Sequence, residues 1–468
     1  MTENFSLNSE KTVDFSAGIV YNNSISWPAL LPAETEFVMK VQEFISGLSG
    51  GAFDGTLARL YGTGERTLLR QRARYISAVE NFSRLFPECG EIGVFSAPGR
   101  TEIGGNHTDH QHGCVLAAAV GIDVIAIVGK GDPGLIRIQS EGYPVDEISL
   151  DSLEPVESEK GTSAALIRGI AAKFEEMGVE LAGFNAYTTS DVLTGSGLSS
   201  SAAFENLVGT IIDRRFNGGA AGAVKIAQIG QFAENVYFGK ASGLMDQMVS
   251  SVGGFVSIDF ADPAQPEIRK VDMDFSGAGY SLCITDTKGS HADLTSDYVA
   301  VPEEMKKVAS ELGKEVLREV DEEEFYKAIP ELRKTCSDRA ILRAAHFFGE
   351  NRRAVEQAEA LENGDTEEFF RLVRESGDSS YELLQNVYSP SKPDQQQIPL
   401  AIMLSKRILN GAGAVRVHGG GFAGTIQAFV PNYLAQAYAE EMDRVFGLDS
   451  CQVLSIRPVG GTELELPS

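Results

Sequence analysis

A loop rich in glycine and serine is the first stretch of the sequence that could do chemistry. Residues 194–202 are Thr-Gly-Ser-Gly-Leu-Ser-Ser-Ser-Ala, between a predicted strand, 184–191, and a predicted helix. At such a helix N-terminus, unpaired N–H groups and the helix dipole favour phosphate, and glycines let a ligand approach the backbone. The loop therefore predicts a nucleotide-phosphate site, although a serine that caps an ordinary helix would use the same residues.

The three consecutive serines of this loop exceed what a helix cap requires. Their hydroxyls can donate to phosphate oxygens or ligate a hard cation. The sequence has no G-x-x-x-x-G-K-[S/T] motif, and no G-x-G-x-x-G that opens a helix with an acidic partner downstream. A phosphate loop here would be of a third type.

A histidine-rich segment, 100–112, is the second candidate. It holds three of the six histidines of the chain, His107, His110 and His112, beside Asp109. This set could bind a transition metal, but it lacks the i, i+4 spacing of a helical histidine pair. Sugar hydroxyls need side chains that both donate and accept hydrogen bonds, and His, Asp and Asn supply them. The segment therefore favours sugar binding over metal binding.

Asp246 is the third candidate, within the stretch Gly-Leu-Met-Asp-Gln at 243–247. It lies among small and apolar residues, where a carboxylate needs a positive partner to stay ionised. We predict that Arg100 is this partner. An aspartate that caps the following helix is the alternative.

Segments with helical and strand periodicity must position these residues. Up to residue 92 the pattern predicts a helical leader, with helices at 35–48 and 67–86 separated by a glycine-rich stretch at 47–62. Further on it predicts strands at 92–100, 114–128, 184–191 and 280–286, helices at 163–177, 221–238 and 339–360, and a strand, glycine-rich turn and strand over 415–430. His346, inside the long helix, is expected to be structural.

Composition narrows the class of protein without identifying it. The 468 residues suffice for two domains, and the formal net charge of −26 argues against a nucleic-acid or anionic-membrane partner. The five cysteines form no C-x-x-C pair, and no apolar run approaches the roughly 20 residues that a membrane span needs. We predict a cytoplasmic enzyme that acts on small molecules.

Four motifs, in their order along the chain, resemble those of the GHMP small-molecule kinases. They are Pro98-Gly99-Arg100 with Asn106-His107-Thr108-Asp109, Gly195-Ser196-Gly197-Leu198-Ser199-Ser200-Ser201-Ala202, Gly243-Leu244-Met245-Asp246-Gln247, and Gly419-Gly420-Gly421-Phe422-Ala423-Gly424. Within this superfamily, the Leu-Met-Asp-Gln motif and the His-x-Asp segment look most like the galactokinase family. The resemblance extends from about residue 93 to the C-terminus.

The resemblance implies an α+β fold with two domains and a helical N-terminal extension, residues 1–92. Residues 93–285 would form a ribosomal-S5-like α/β domain that binds ATP and sugar, and residues 286–468 a ferredoxin-like α+β domain. Sugar and ATP would meet in the cleft between them. The reaction implied is transfer of the ATP γ-phosphoryl group to the anomeric hydroxyl of galactose, which gives galactose 1-phosphate.

The resemblance also implies roles for individual residues. Asp246 would be the catalytic base, and Arg100 would keep it ionised while stabilising the phosphoryl charge. The implied ATP-binding residues are Gly195, Ser196, Gly197, Leu198, Ser199, Ser200, Ser201, Gly420 and Gly421, the implied Mg²⁺ ligands are Ser201 and Glu234, and the implied sugar-binding residues are Asn106, His107, Asp109, Asp246 and Tyr298.

One departure from the family concerns the sugar. The usual Arg-x-Asn-x-Ile-Gly-Glu-His is Arg-Thr-Glu-Ile-Gly-Gly-Asn-His at 100–107, so Asn106 replaces a glutamate that binds the sugar O6. An amide can bond a hydroxyl, but it would also tolerate a carboxylate at C6. Galacturonate or another hexose therefore stays open beside galactose. A non-catalytic sugar sensor on the same fold is the alternative from another class, and the presence of Ser201 and Asp246 favours the enzyme.

Overall fold

A computed structural model of the chain describes residues 39–192, 197–240, 242–289 and 294–465. The first part of the predicted leader, through residue 38, lies outside these ranges. Gly195 and Ser196 of the predicted phosphate loop lie outside them as well. None of the helices in the described ranges is long and apolar enough to cross a membrane.

The chain alternates between strands and helices. The strands are β1 (Met39–Lys40), β2 (Glu91–Gly104), β3 (Cys114–Lys130), β4 (Leu135–Ser140), β5 (Val145–Ser149), β6 (Phe184–Ser190), β7 (Phe255–Asp259), β8 (Glu267–Val271), β9 (Tyr280–Asp286), β10 (Ala414–Val417), β11 (Thr425–Pro431), β12 (Cys451–Leu454) and β13 (Thr462–Glu463). The helices are α1 (Val41–Ser49), α2 (Asp54–Tyr61), α3 (Glu65–Leu85), α4 (Ser163–Glu176), α5 (Ser200–Phe216), α6 (Gly222–Phe232), α7 (Met245–Val252), α8 (Thr295–Glu311), α9 (Glu322–Leu332), α10 (Asp338–Glu362), α11 (Thr366–Ser379), α12 (Gln397–Leu409) and α13 (Asn432–Phe446).

The larger sheet is built around the long strands β2 and β3. Its strand order is β1-β2-β3-β6-β4-β5, and β13 pairs with β2 while β7 links β3 to β8. Only the β4–β6 pair is parallel among the described strands. Strand β3 is almost wholly apolar because both of its faces are covered: Val124 and Ala126 belong to a core shared with α4 and α5, whereas Ile125 and Ile127 pack against the leader helices.

The smaller sheet has the order β10-β11-β9-β12, with every neighbouring pair antiparallel. Helices α12 and α13 cover one face, where Val417, Ala428 and Tyr438 are buried together. Aromatic residues of α11, Phe369 and Phe370, pack on the other face against Phe429. Two sheets with helices segregated onto them form the α+β architecture predicted from the sequence, and the predicted segment boundaries at 92 and 285 stay predictions.

The leader differs from the sequence prediction at β1, which lies inside the helix predicted at 35–48, and at α2. The glycine-rich stretch at 47–62 was expected only to separate two helices, but half of it forms α2. Leu57, Leu60 and Tyr61 share one face of α2 and are buried in the core that the leader forms on the sheet. That burial outweighs the low helix propensity of Gly55, so the prediction was wrong here.

Strand β2 also extends beyond its predicted end at residue 100. It continues to Gly104 because Arg100, Thr101 and Glu102 pair with the alanines at 117–119 of β3, with irregular register on either side. Arg100 and Glu102 therefore stand on a strand, and the histidines follow in a turn that includes the short helical turn Asp109–Gln111. The predicted strand 280–286 matches β9, and the predicted helices 163–177 and 339–360 match α4 and α10 within two residues.

Candidate active site

The described part of the serine loop lies between strand β2 and the N-terminus of α5. Gly197 and Ser199 adopt left-handed backbone angles, with φ of 76° and 56°. The Arg100 N–H donates to the Leu198 carbonyl at 3.0 Å. A Cβ at Gly99 would lie 2.9 Å from that oxygen, so this close approach requires glycine. The first N–H groups of α5 lack partners within the helix and can receive phosphate oxygens.

The ion pair predicted between Arg100 and Asp246 is present at this loop. Arg100 donates from Nε to Asp246 Oδ1 at 2.6 Å and from Nη2 to Oδ2 at 2.7 Å, and Ser199 Oγ donates to Oδ2 at 2.7 Å. Arg100 Nη1 also donates to the Gly197 carbonyl. The pair therefore connects the first turn of α7 to the serine loop, while 31% of the Asp246 side chain stays exposed.

The electrostatics keep Asp246 ionised. Burial by itself would raise its pKa, but the Arg100 charge and the hydrogen bonds from Arg100 and Ser199 outweigh burial and lower the pKa below its usual value. A carboxylate in this state can orient a hydroxyl and accept its proton.

A group of buried acids lies behind the loop. Glu234, in the π-helical turn Ala233–Phe238, accepts from Lys240 Nζ at 2.7 Å and from Gln247 Nε2 at 2.9 Å. Gln247 Nε2 also donates to Glu205 at 2.9 Å, and burial together with the charge of Glu234 raises the pKa of Glu205 to about 8. A carboxylate and the half-buried hydroxyl of Ser201 are oxygen donors suited to Mg²⁺, so the residues present fit this ion.

The long helix α10 holds the turn after β2 in place through hydrogen bonds. Glu350 Oε1 accepts from the N–H groups of Gly105 and Asn106 at 3.0 and 3.3 Å. His346 Nε2 lies 2.9 Å from the Asn106 carbonyl, and its Nδ1 lies 2.8 Å from Ser379 Oγ. Burial lowers the pKa of His346 to about 4, so the ring is neutral and holds the turn in place.

The side chain of Asn106 points into a polar cluster within the protein. Its Nδ2 donates to Glu102 Oε1 at 2.9 Å and to the Gly419 carbonyl at 2.7 Å. Its Oδ1 accepts from Asn386 Nδ2 at 2.9 Å. The predicted sugar contact at Asn106 therefore has its amide hydrogens already engaged, and Glu102 stands beside it.

The remaining predicted sugar residues gather around the glycine turn 419–421. His107 Nε2 lies 3.1 Å from the Gly420 carbonyl, and Tyr298 OH donates to the Gly421 carbonyl at 2.7 Å. Burial raises the pKa of Tyr298 to about 12, so the phenol stays protonated. Asp109 is exposed, and its Oδ2 lies close to the backbone where the Gly-Leu-Met-Asp-Gln stretch begins. The structure thus places Asn106, His107 and Tyr298 around one glycine turn, and it places Asp109 beside the stretch that carries Asp246.

The histidine segment is arranged for polar contacts. The His107 and His110 rings lie 5.6 Å apart, and burial lowers the pKa of His110 to about 4. Within the described ranges, no group of three or more His, Cys, Asp or Glu side chains is placed to hold a metal ion.

Sequence reasoning missed several residues of the cleft. Glu102 was noted only as a departure, and Asn386, Arg416 and Lys240 were given no role. Glu102 lies inside the segment 100–107 that departs from the family pattern, so its identity was an available signal. Asn386 lies 280 residues from its partner Asn106, and nothing local marks it.

Comparisons with known proteins find two matching family models and similar curated relatives. A family model described as "Galactokinase galactose-binding signature" matches residues 80–130, and one described as "GHMP kinases N terminal domain" matches residues 165–254. The chain is 30% identical over 379 residues to a galactokinase of Actinobacillus pleuropneumoniae serotype 5b (strain L20), covering 79% of this chain and 94% of the relative. It is 29% identical over 388 residues to a galactokinase of Streptomyces coelicolor, covering 82% and 96%.

Solved structures share the fold. Lactococcus lactis galactokinase complexed with galactose matches with a TM-score of 0.68 at 24% identity, over 83% of this chain and 99% of that one. Methanococcus jannaschii mevalonate kinase matches with a TM-score of 0.56 at 13% identity, over 78% and 99%. The identity to a curated relative across nearly its whole length, together with the two family models, shows that this chain belongs to the galactokinase family of the GHMP kinases.

Proposed function

We propose that this protein transfers the γ-phosphoryl group of ATP to the anomeric hydroxyl of galactose and releases galactose 1-phosphate. The observation that carries the proposal is the bidentate pair of Arg100 with Asp246, which Ser199 links to the N-terminus of α5. It sets an ionised, partly exposed carboxylate next to a helix end suited to phosphate. The names of the curated relatives and of the galactose-binding model support galactose as the acceptor.

In this mechanism Asp246 orients the acceptor hydroxyl and takes its proton as the new O–P bond forms. Its lowered pKa makes it a weak base, but the loose transition state of phosphoryl transfer depends mainly on positioning and charge stabilisation. Arg100 keeps Asp246 ionised and balances the charge that develops on the transferred group. The serine loop would receive the other phosphate oxygens.

Glu234 and Ser201 would hold Mg²⁺, which neutralises phosphate charge when bound. Lys240 contacts Glu234 in this structure and must yield part of that contact to a cation. We further propose that the protein acts in the cytoplasm, because its composition is acidic and its cysteines, all within the described ranges, form no disulfide bonds.

The test is a coupled assay of ADP release with MgATP, in which galactose, galacturonate, N-acetylgalactosamine, glucose and mevalonate are offered in turn. Asp246→Asn is the inactive variant, and Asp151→Asn, at an exposed position away from the cleft, is its matched control. Turnover of galactose that is lost only in Asp246→Asn would support the proposal. Binding of sugar and ATP without any turnover would contradict it and favour a sensor.

A further inference from the structure

The hydrogen-bonding capacity of Asn106 is used up within the protein. Both hydrogens of its amide are donated, one to Glu102 and one to the Gly419 carbonyl, and its oxygen accepts from Asn386. The residue is only 1% exposed. A sugar hydroxyl that approached Asn106 would have to break one of these buried contacts, which is costly.

Glu102 is the more accessible member of this cluster. Its side chain is 12% exposed, and Asn106 is hydrogen-bonded to only one of its two carboxylate oxygens, Oε1. Glu102 follows Arg100 by two residues on β2, so both side chains stand on one side of the strand. Two residues span about 7 Å along a strand, which is comparable to the length of a hexose. Glu102 is therefore placed to meet the end of the sugar that lies away from Asp246.

A buried arginine supports the charge of Glu102 from the protein interior. Arg416 Nη2 lies 3.7 Å from Glu102 Oε1 and has no hydrogen-bond partner among the described residues. Burial raises the pKa of Glu102 above its usual value, and Arg416 together with the Asn106 amide offsets only part of this rise. The carboxyl group remains a strong hydrogen-bond acceptor that disfavours a second negative charge beside it.

The positions of carboxylate and amide are exchanged relative to the family pattern. Arg-x-Asn-x-Ile-Gly-Glu-His has the amide where this chain has Glu102, and the carboxylate where it has Asn106. Because the two side chains touch at 2.9 Å, the exchange preserves a carboxylate–amide pair and moves its charge between neighbouring sites. The carboxylate that the family pattern has at position 106 is thus replaced by the neighbouring carboxylate of Glu102.

We propose that Glu102 determines sugar specificity by accepting a hydrogen bond from the hydroxyl of the hexose carbon farthest from the anomeric centre, and by repelling a carboxylate there. The proposal rests on the proposed sugar kinase function. It assigns neutral hexoses with a free hydroxyl at this carbon as the substrate class, and it excludes hexuronates, which Asn106 alone would have tolerated.

Glu102→Gln tests the assignment, since it keeps the side-chain length and removes the charge. We expect the KM for galactose to rise about tenfold with kcat nearly unchanged. This is the pattern expected when a variant loses an interaction that the substrate makes equally in the ground state and in the transition state. The KM for 6-deoxygalactose, which lacks the hydroxyl, should not change. Calorimetry should show galacturonate binding at least about tenfold more tightly than to wild type. Glu147→Gln, an exposed glutamate paired with Arg137, is the matched control and should behave as wild type.

The reciprocal exchange is the second test. Asn106→Glu alone places two carboxylates in contact and should abolish measurable galactose binding, whereas Glu102→Asn combined with Asn106→Glu should recover it. A purely structural carboxylate–amide pair would be restored by the exchange as well, so the variants are also assayed with 6-deoxygalactose. A double variant that binds galactose and 6-deoxygalactose equally well would overturn the proposal.

The outcomes separate the two levels of inference. If wild type neither binds nor phosphorylates galactose, the proposed function fails. If wild type phosphorylates galactose but Glu102→Gln affects galactose and 6-deoxygalactose equally, or leaves the discrimination against galacturonate unchanged, only the assignment of Glu102 fails.

Discussion

Asp246 in the candidate active site and Asp123 in the core are both paired with arginine, and they differ in how far the carboxylate is exposed. Asp246 receives Arg100 and keeps 31% of its side chain exposed. Asp123, on β3, receives Arg74 at 2.6 Å and Arg457 at 2.9 Å and is fully buried. Burial opposes ionisation at both sites, the arginines prevail, and both pKa values are lowered.

The comparison shows that a charged pair with a lowered pKa does not mark a functional site. The Asp123 carboxylate also accepts from Tyr61 and Ser96, so its oxygens are fully occupied by the protein. Asp246 keeps an accessible edge next to the serine loop. Exposure of an ionised group to a cleft, rather than its ionisation, separates a candidate catalytic residue from a structural one.

The largest effect is expected at the cleft. Asp246→Asn keeps the shape of the side chain and removes the proton acceptor, so kcat should fall by about 10²- to 10⁴-fold. The midpoint of thermal unfolding should change little, because the side chain is partly exposed. Steady-state ADP release and a thermal scan check the two parts, and kcat within tenfold of wild type would contradict the assigned role.

The opposite pattern is expected in the core. Arg74→Met leaves Asp123 with one arginine in a buried site, and loss of one partner of a buried pair typically costs about 3 to 5 kcal/mol of unfolding free energy. The kcat of the folded protein should stay close to wild type. Urea unfolding measures the loss of unfolding free energy, and the kinetic assay measures kcat. A large loss of kcat at unchanged stability would contradict a purely structural role for the pair of Arg74 with Asp123.

A smaller effect concerns pH. The folded-state pKa of Asp246 is lowered, so its ionised form persists as pH falls below the usual aspartate pKa. Arg100→Gln removes the charge that opposes burial, which raises this pKa. Besides a lower kcat, the variant should lose activity at a higher pH than wild type on the acid side. Superimposable acid limbs in the two pH profiles would rule out Arg100 as the group that holds Asp246 ionised.

The smallest effect is expected for Mg²⁺ binding at Glu234, which Lys240 contacts. Lys240 is more than half exposed and pairs with Glu234 at 2.7 Å, a contact worth about 0.2 to 1 kcal/mol. Lys240→Met should therefore strengthen Mg²⁺ binding by less than about fivefold, measured by calorimetry with the nucleotide present. Lys307→Met, which removes an exposed pair with Glu311, is the control. Weaker Mg²⁺ binding in Lys240→Met would show that the lysine assists the ion instead of competing with it.

Strong local periodicity made much of the fold predictable. The strand Tyr280–Asp286 and the helix Ser163–Glu176 were located within one residue, because their burial follows the period of their own element. Helix α2 and the C-terminal end of β2 were not located from the sequence. Helix α2 forms in a glycine-rich segment because its leucines are buried in the core of the leader. Strand β2 continues to Gly104 because it pairs with the alanines of β3.

The pairing of Asp246 with Arg100 was predictable from the sequence, because a charge among apolar residues needs an opposite charge beside it. Asp246 in an apolar stretch required a cation, and Arg100 was the one in a recognisable motif. The contact of Glu102 with Asn106 required knowing that β2 runs on to Gly104 before the chain turns, and the contribution of Asn386 required knowing where a remote segment lies.

The order and types of residues were enough to infer the family and the reaction class, because these depend on motifs whose chemistry is carried by neighbouring residues. Folding alone decided which member of the pair formed by Asn106 and Glu102 stays exposed. Asn106 and Glu102 are separated by a bend in the backbone, and their hydrogen bond, their unequal exposure and the arginine behind them arise only when distant segments pack together. The exposure of these two side chains is therefore a property of the packed chain, and the local sequence at 100–107 does not reveal it.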